Sequence, residues 1–497
     1  MCYNNLLSSK YRGEIIMITD KNNDFQNNFE PNQPLLLKNA FYYTEAGFKL
    51  GHILTIEGKI AAIYPETELP QLPDDAVVYD VAGKHVLPGA IDTHVHVREP
   101  GWPEREDFFT GTAAALAGGI TTICQMPNTQ PTPHDLPSLE LTRQAAGPKI
   151  LCDTAVYAAA GYDNRDQLAV LAQTGICGFK TFLQFSEQHT AEPQYITVQN
   201  REELTKLLVA SAATGLRHFF HCEDFILINR LEQAAHQAGA EDYSFHYKTR
   251  PDAAELNAVQ QVLHAARKTG AKVGIAHVST VAAAEAIRRA KADGVDVTCE
   301  VCFHHLFFDD SWLDKFGPLA KCNPPLRSAA NVAGLWPYLL DGTVDYIGSD
   351  HAPHLPAAKQ AGQEQVWLAP SGIAHIELLL PMLLQAVNQG KITLERLAEL
   401  CCVNGYKQMG LYPQKGRLAV GADADFTVVD LAKEWTFKSA AMQTKARANA
   451  TLFDGLPMQG AVEAAIVRGR LMYAGGRVDY QSAGYGQLLH CHQKQEV

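Results

Sequence analysis

The chain has 497 residues, of which 46% are hydrophobic and 19% are charged, and its formal net charge is −12. This length predicts one large domain with a smaller companion, and the apolar content excludes a wholly disordered chain. The negative charge makes nucleic acid or an anionic membrane an unfavourable main partner, although a small anion can still bind a local cluster of positive side chains.

Cysteine usage and hydropathy predict the cellular setting. The eleven cysteines are scattered and odd in number, which does not resemble a disulfide framework and favours a reducing compartment. The first 34 residues contain no signal-peptide core, and no run of about 18 apolar residues occurs anywhere. We therefore expect a cytoplasmic protein without a membrane segment. Residues 1–34 are predicted to be a flexible extension, with Met17 as a possible alternative start.

The order of apolar runs predicts the fold. From residue 88 to residue 412, eight short apolar runs alternate with amphipathic stretches that end in glycine. This pattern is typical of an α/β fold of the (β/α)8 TIM-like barrel type. Residues 35–87 and 413–486 have β texture, and each piece is too small to bury its own face. We expect them to form one small β-sandwich domain built from both chain ends, with residues 487–497 as a tail.

Potential metal ligands follow the predicted strands. His94 and His96 are two positions apart, so a strand places both imidazoles on one face. Four later strands also end in a candidate ligand: Lys180, His221, His277 and Asp350. A barrel brings these ends to one rim, and imidazole and carboxylate suit Zn²⁺ and similar ions. The alternatives for single residues are a hydrogen-bonded core histidine or an aspartate that caps a turn.

Lys180 is unusual in such a set, because a buried ammonium beside divalent cations would be strongly repelled. The amine must then be neutral or modified. A carbamate formed with CO2 would be anionic and could bridge two metals. The alternative is a lysine that reaches solvent from the strand end.

Several strings carry a family resemblance: DTHVHVREPG, MPNT, GFK, HCE, IAHVS, TCEVCFHHLF, CNPPLR, SDHAPH and GADADF. Together they resemble the amidohydrolase superfamily and, within it, the dihydroorotases. The TCEV and SDHAPH passages are most similar to the dihydroorotase domain of the multifunctional animal pyrimidine enzyme. The resemblance extends from about residue 35 to residue 486.

The resemblance implies a reversible conversion between dihydroorotate and N-carbamoyl-L-aspartate in pyrimidine biosynthesis. It implies two divalent metal ions, most commonly Zn²⁺, bridged by a carbamylated Lys180, with Asp350 as ligand and proton shuttle. The substrate would be held by the residues that match the family's binding positions: Arg98, Asn128, Asn323, His354, Ser371 and Gly372. A homodimer and association with aspartate carbamoyltransferase are the partners that it suggests.

Three other functions remain open. Allantoinases and hydantoinases or dihydropyrimidinases share much of the metal pattern, and some dihydroorotase-like proteins are non-catalytic scaffolds for aspartate carbamoyltransferase. Arg98 favours a substrate with an acid group, because its planar fork can bind a carboxylate. The complete ligand set argues against a scaffold.

Further features are weaker. Cys299 and Cys302 form a CxxC pattern, but a strand would point them to opposite faces, so we expect a structural role. The animal relative has a third metal that uses a cysteine and a glutamate, and this chain keeps Glu300 but has Ala276 at the cysteine position. His304 and His305 are predicted to pack behind the ligands. The polar stretch LQFSEQHTAEPQYIT after Lys180 is predicted to be a mobile lid.

Overall fold

A closed parallel barrel forms the centre of the molecule. The computed structural model describes residues 16–18, 33–183, 194–240 and 242–492. All neighbouring strands that pair in the barrel are parallel. The eight barrel strands, the third of which is interrupted, are Ala90–Val95, Ile120–Gln125, Asp153–Val156 with Ala158–Ala159, Phe179–Leu183, His218–Cys222, Val273–Ile275, Val297–Cys302 and Tyr346–Gly348. The predicted fold class is confirmed.

The chain segments that follow the first and eighth barrel strands meet just beyond the carboxyl ends of these strands. His96 N donates a hydrogen bond to His351 O at 2.9 Å. The buried Asp92 carboxylate joins the same two strands, because its Oδ1 accepts from His94 N at 3.1 Å and from Ser349 N at 3.0 Å. These contacts close the barrel and fix the segments that carry several of the candidate ligands.

Helices surround the barrel, and local sequence explains several of their ends. Asp107 and Asp135 cap the helices that follow them by accepting from backbone N–H groups of the first turn, as short acidic residues do. The α-helices are Phe108–Ala117, Leu136–Ala146, Leu168–Ala172, Arg201–Ala212, Phe225–Gln237, Phe245–Lys248, Asp252–Thr269, Val281–Ala292, His304–Phe307, Ser311–Phe316, Ala329–Leu340, Pro356–Gln360, Leu379–Asn388, Leu394–Ala398 and Asn404–Gln408. A π-helical turn, Glu399–Val403, joins the last two.

A second sheet combines strands from both ends of the chain. His85–Pro88 pairs antiparallel with the start of Phe426–Thr436, which joins the two sets. The ten strands are Ile16–Ile18, Leu35–Thr44, Gly47–Ile56, Lys59–Pro65, Val77–Asp80, His85–Pro88, Phe426–Thr436, Pro457–Val467, Arg470–Ala474 and Arg477–Val478. Ile16–Ile18 lies within the predicted N-terminal extension and pairs in parallel with Val77–Tyr79.

A buried cluster of charges joins the second sheet to the barrel. Lys415 Nζ lies 2.5 Å from Asp153 Oδ2 in the third barrel strand and 2.7 Å from Asp425 Oδ2 beside the sheet. Asp423 Oδ2 lies 3.0 Å from the same ammonium, and Arg468 pairs with Asp153. Burial alone would lower the pKa of Lys415, but the three aspartates outweigh it and hold the pKa well above its usual range.

The described part of the predicted tail packs on the barrel. Leu489 N donates to Thr154 O and Cys491 N donates to Gly175 O, both at 2.9 Å. The ten cysteines in the described ranges are all free and buried. Among the described helices, none combines the length and apolar character that crossing a membrane requires.

Candidate metal centre and cleft

Five of the six predicted metal ligands meet at the carboxyl ends of the barrel strands. His94 Nε2 lies 3.3 Å from Asp350 Oδ1, and His96 Nε2 lies 3.0 Å from the same oxygen. His221 Nδ1 lies 3.0 Å from His277 Nε2, and the rings of His94 and His277 are 5.2 Å apart. These side chains come from the first, fifth, sixth and eighth strands, so closure of the barrel is what assembles them.

Lys180, the sixth predicted ligand, lies on the fourth barrel strand and is fully buried. Within the described part of the chain, its Nζ has no hydrogen-bond partner. Burial lowers its pKa, and the nearby carboxylates of Glu300 and Asp350 only partly oppose this effect. This shift makes the neutral amine, which is the form that can react with CO2, more accessible than in an exposed lysine.

Buried carboxylates orient two of the histidines. His94 Nδ1 lies 2.7 Å from Glu300 Oε1, and His221 Nε2 lies 2.8 Å from Glu223 Oε2. An ionised carboxylate only accepts hydrogen bonds, so these two ring nitrogens carry the hydrogens. The opposite nitrogens, His94 Nε2 and His221 Nδ1, are left as lone pairs that face the cluster. This is the arrangement by which proteins prepare metal-binding histidines.

An amide orients a third histidine in the same way. His96 Nδ1 donates to Asn128 Oδ1 at 2.6 Å, which leaves its Nε2 facing Asp350. Burial lowers the pKa of His96 to about 3 and also lowers the pKa of His221 and His277. The rings are therefore neutral at neutral pH, which is the state that binds metal.

This donor set fits divalent cations. The candidate ligand atoms of His94, His277 and Asp350 all lie within 4.8 Å of one another. Burial alone would raise the pKa of Asp350, but the adjacent imidazoles of His94 and His96 outweigh it, so the carboxylate stays ionised. Neutral imidazoles, a carboxylate and an unpaired buried amine together suit Zn²⁺ or a similar ion.

Three residues at this rim adopt left-handed backbone conformations. The φ angles are 67° for Arg98, 39° for His277 and 49° for Asp350. Such conformations cost about 1–3 kcal/mol for residues other than glycine and persist only where surrounding contacts enforce them. Here they occur where His277 and Asp350 join the ligand cluster and where Arg98 lines the cleft above it.

A cleft of about 870 Å³ opens above the ligands. All six predicted substrate contacts line it: Arg98, Asn128, Asn323, His354, Ser371 and Gly372. His354 Nε2 donates to Ser371 O at 2.9 Å. Gly372 has a φ of 144°, and a Cβ there would lie 2.6 Å from Ala352 O and 2.9 Å from His354 Nε2. Only glycine fits this close approach.

The walls of the cleft combine positive charge with aromatic surface. Arg98, Arg105 and Arg250 line it together with the acid Glu232. Its aromatic lining comes from Trp102, Phe182 and Phe225. Arg98 Nε donates to Pro353 O at 3.3 Å, so one N–H group of its guanidinium is already used in a hydrogen bond within the protein. The cleft suits a flat ring that carries several hydrogen-bonding groups.

A buried ion pair behind His221 was not foreseen. Arg250 Nη1 donates to Glu223 Oε2 at 2.9 Å. Burial alone would raise the pKa of Glu223, but Arg250 and His221 lower it well below its usual value. The contact between His221 and Glu223 could have been inferred from the HCE string, since the two residues are only two positions apart. The contact of Arg250 with Glu223 could not, because Arg250 lies far along the chain and no sequence pattern links the two.

The weaker predicted features lie outside the cleft lining. Cys299 and Cys302 are buried in the seventh barrel strand. Glu300 accepts from Thr93 Oγ1 at 2.9 Å and from His277 N at 3.1 Å, besides its contact with His94. Most of the predicted lid, residues 184–193, lies outside the described residues.

A closed barrel with this cluster of histidines, lysine and aspartate defines a metal-dependent hydrolase. Residues 85–472 match the model of the amidohydrolase family, and the chain belongs to that family. Within it, the chain is an enzyme of the metal-dependent cyclic amidohydrolase type.

The similarity to curated relatives extends over almost the whole chain. It is 34% identical to an allantoinase of Deinococcus radiodurans over 92% of this chain and 98% of the relative. It is 32% identical to an L-hydantoinase of Paenarthrobacter aurescens over 92% and 97%. The solved L-hydantoinase (dihydropyrimidinase) from Arthrobacter aurescens superposes with a TM-score of 0.86, at 31% identity over 92% of this chain and 99% of the other.

The predicted dihydroorotase identity is wrong. These relatives are named for hydantoin and allantoin, and the solved structures are named as hydantoinases and dihydropyrimidinases. The error came from taking Arg98 as evidence for an acid substrate, together with predicted metal-ligand motifs that do not separate dihydroorotases from allantoinases and hydantoinases. The expected conversion of dihydroorotate and the expected role in pyrimidine biosynthesis depended on that identity and are wrong as well.

Proposed function

We propose that the protein opens the ring of a cyclic ureide of the hydantoin, allantoin or dihydropyrimidine type by hydrolysis of a ring amide. One observation carries the proposal: oriented lone pairs of His94, His96 and His221 converge with Asp350 beneath a cleft of about 870 Å³. The full-length similarity to an allantoinase and an L-hydantoinase supports the substrate class.

Two divalent ions, with Zn²⁺ as our choice, would be held by six side chains: His94, His96, His221, His277, Asp350 and a carbamylated Lys180. When bound, the ions would polarise the ring carbonyl and make water a stronger nucleophile. The carbamylation proposal rests on the burial of Lys180 and on its amine having no hydrogen-bond partner in the described residues.

The chain's own residues would supply orientation and proton transfer. Asp350 lines the cleft, and its carboxylate would take the proton of the attacking water and deliver it to the departing ring nitrogen. Arg98 and Asn323 line the cleft and would bind polar atoms of the ring. The aromatic side chains Phe182 and Phe225 would pack against its faces and exclude water.

The decisive assay supplies Zn²⁺ and bicarbonate to the purified protein and measures ring opening of hydantoin, allantoin and dihydrouracil. We expect turnover of at least one of them and its loss in Asp350→Asn. Dihydroorotate is the comparison substrate, and the proposal fails if only dihydroorotate reacts. Carbon-13 bicarbonate should give a carbamate NMR signal that is absent in Lys180→Met.

A further inference from the structure

A second group of metal-ligand side chains lies beside the catalytic cluster. His304 and His305 begin the short helix His304–Phe307, and Cys322 precedes the cleft residue Asn323. Candidate ligand atoms of the three side chains all lie within 4.8 Å of one another. All three are buried and none lines the cleft.

Hydrogen bonds fix which nitrogen of His305 is free. His305 Nε2 lies 3.2 Å from Pro324 O. A carbonyl oxygen can only accept, so Nε2 carries the hydrogen, and the neutral ring has its lone pair at Nδ1. Among the described residues, no group donates to that lone pair.

His304 presents a second free nitrogen. Its Nδ1 lies 3.0 Å from His375 Nε2, which gives the ring an outer partner. Its Nε2 is buried and has no hydrogen-bond partner in the part of the chain that is described. Buried polar atoms are rarely left unpaired, so two imidazole nitrogens without a partner among the described residues, in a group whose candidate ligand atoms lie within 4.8 Å of one another, indicate an additional group there.

We propose that His304 Nε2, His305 Nδ1 and Cys322 Sγ bind one thiophilic metal ion such as Zn²⁺, separate from the catalytic pair. Two imidazoles and a thiolate are common zinc ligands, and their outer contacts to His375 and Pro324 orient the rings. Binding would displace the thiol proton of Cys322 to solvent, and the hydrogen bond that its Sγ donates to Pro324 O at 3.3 Å would be lost.

The ion would affect the cleft indirectly, by holding in place a segment that lines it. It would join the helix His304–Phe307 to the segment that carries Asn323, whose Oδ1 has no partner within the described ranges. The site would thus fix the position of a substrate-facing amide. It would be structural, and its existence does not depend on which ring the enzyme opens.

Cobalt provides a direct test, because only a cysteine ligand gives Co²⁺ an intense thiolate charge-transfer absorption in the near ultraviolet. The proposed catalytic set contains no cysteine. We expect the full-length protein, reconstituted with Co²⁺ without oxygen, to show this absorption together with one bound ion more than the catalytic pair. A spectrum without the charge-transfer band would overturn the proposal and would point to a buried water between the two rings.

Two cysteine variants test which thiolate gives the charge-transfer band. Cys322→Ser should lose it and one equivalent of metal, whereas Cys302→Ser should keep both, although Cys302 is also buried and lies near Glu300 and Asp350. Loss of the band in Cys302→Ser alone would refute the assignment. Failure to open any cyclic ureide would leave the spectrum unchanged, so the two proposals fail independently.

Discussion

Glu300 Oε1 lies 2.7 Å from the outer nitrogen of His94, and both residues are fully buried. This contact fixes the tautomer of His94 and directs its other nitrogen toward Asp350. We expect Glu300→Gln to weaken metal binding by roughly 10- to 100-fold, because the amide cannot polarise the ring as a carboxylate does. Metal titration of the apoprotein measures the effect.

Thr93→Val is the matched control for Glu300→Gln. It removes one hydrogen bond to Glu300 but keeps the carboxylate and its contact with His94. We expect a smaller loss of metal affinity. Equal affinities in wild type and Glu300→Gln would contradict the orienting role.

Gly372→Ala tests the close approach in the cleft. The added Cβ would meet Ala352 O and His354 Nε2, so the loop must shift. A displacement of about 1 Å can cost 100-fold in rate, so we expect kcat/KM to fall roughly 10- to 100-fold with metal content unchanged. Gly342→Ala is the control, because φ is 85° there and no described atom lies within 4 Å of the added Cβ. Similar kinetics in both variants would argue against the steric explanation.

Lys415 should matter for stability more than for chemistry. Lys415→Met leaves Asp153, Asp423 and Asp425 buried without their shared cation, and breaking a buried pair costs about 3–5 kcal/mol. We expect a loss of that size in urea unfolding. Lys433→Met removes a half-exposed pair with Glu463 and should cost less than about 1 kcal/mol. Comparable losses of unfolding free energy in the two variants would contradict a larger contribution of the buried charges to stability.

The buried Lys359 should make the free energy of unfolding depend on pH. It is buried and donates to Pro318 O and Lys321 O, and burial lowers its pKa to about 7. An unfolded lysine has a pKa of about 10.4. Between these values the unfolded chain binds a proton that the folded protein lacks, so stability should rise with pH in this window.

The slope of stability against pH is the readout for Lys359. It should reach up to roughly 1.4 kcal/mol per pH unit and should disappear in Lys359→Met. Urea unfolding at several pH values between about 7 and 10 measures it, with Lys206→Met on an exposed helix as the control. Parallel curves for wild type and Lys359→Met would disprove the prediction.

The barrel was predictable because its signal is local. Each parallel strand is buried on both faces and therefore appears as a short apolar run, and the residue after the run falls at the rim. His221 and Asp350 could be placed together on this basis without knowing any contact.

The substrate was not predictable by the same means. Trp102, Arg105, Asn229 and Arg250 come from segments far apart in sequence and follow no period. Their meeting depends on how loops pack above the rim. Arg98 was visible, but one guanidinium does not determine the charge of the ring that it meets, and the dihydroorotase assignment failed on that point.

The sheet built from both chain ends has a consequence for synthesis. Ala90 N donates to the hydroxyl of Thr427, 337 positions later, next to the point where His85–Pro88 pairs with Phe426–Thr436. While the ribosome makes the intervening barrel, the amino-terminal strands have an open edge that invites pairing with other chains. A nonsense mutation just before Phe426 should therefore yield aggregates, even though every residue of the candidate metal centre has already been made.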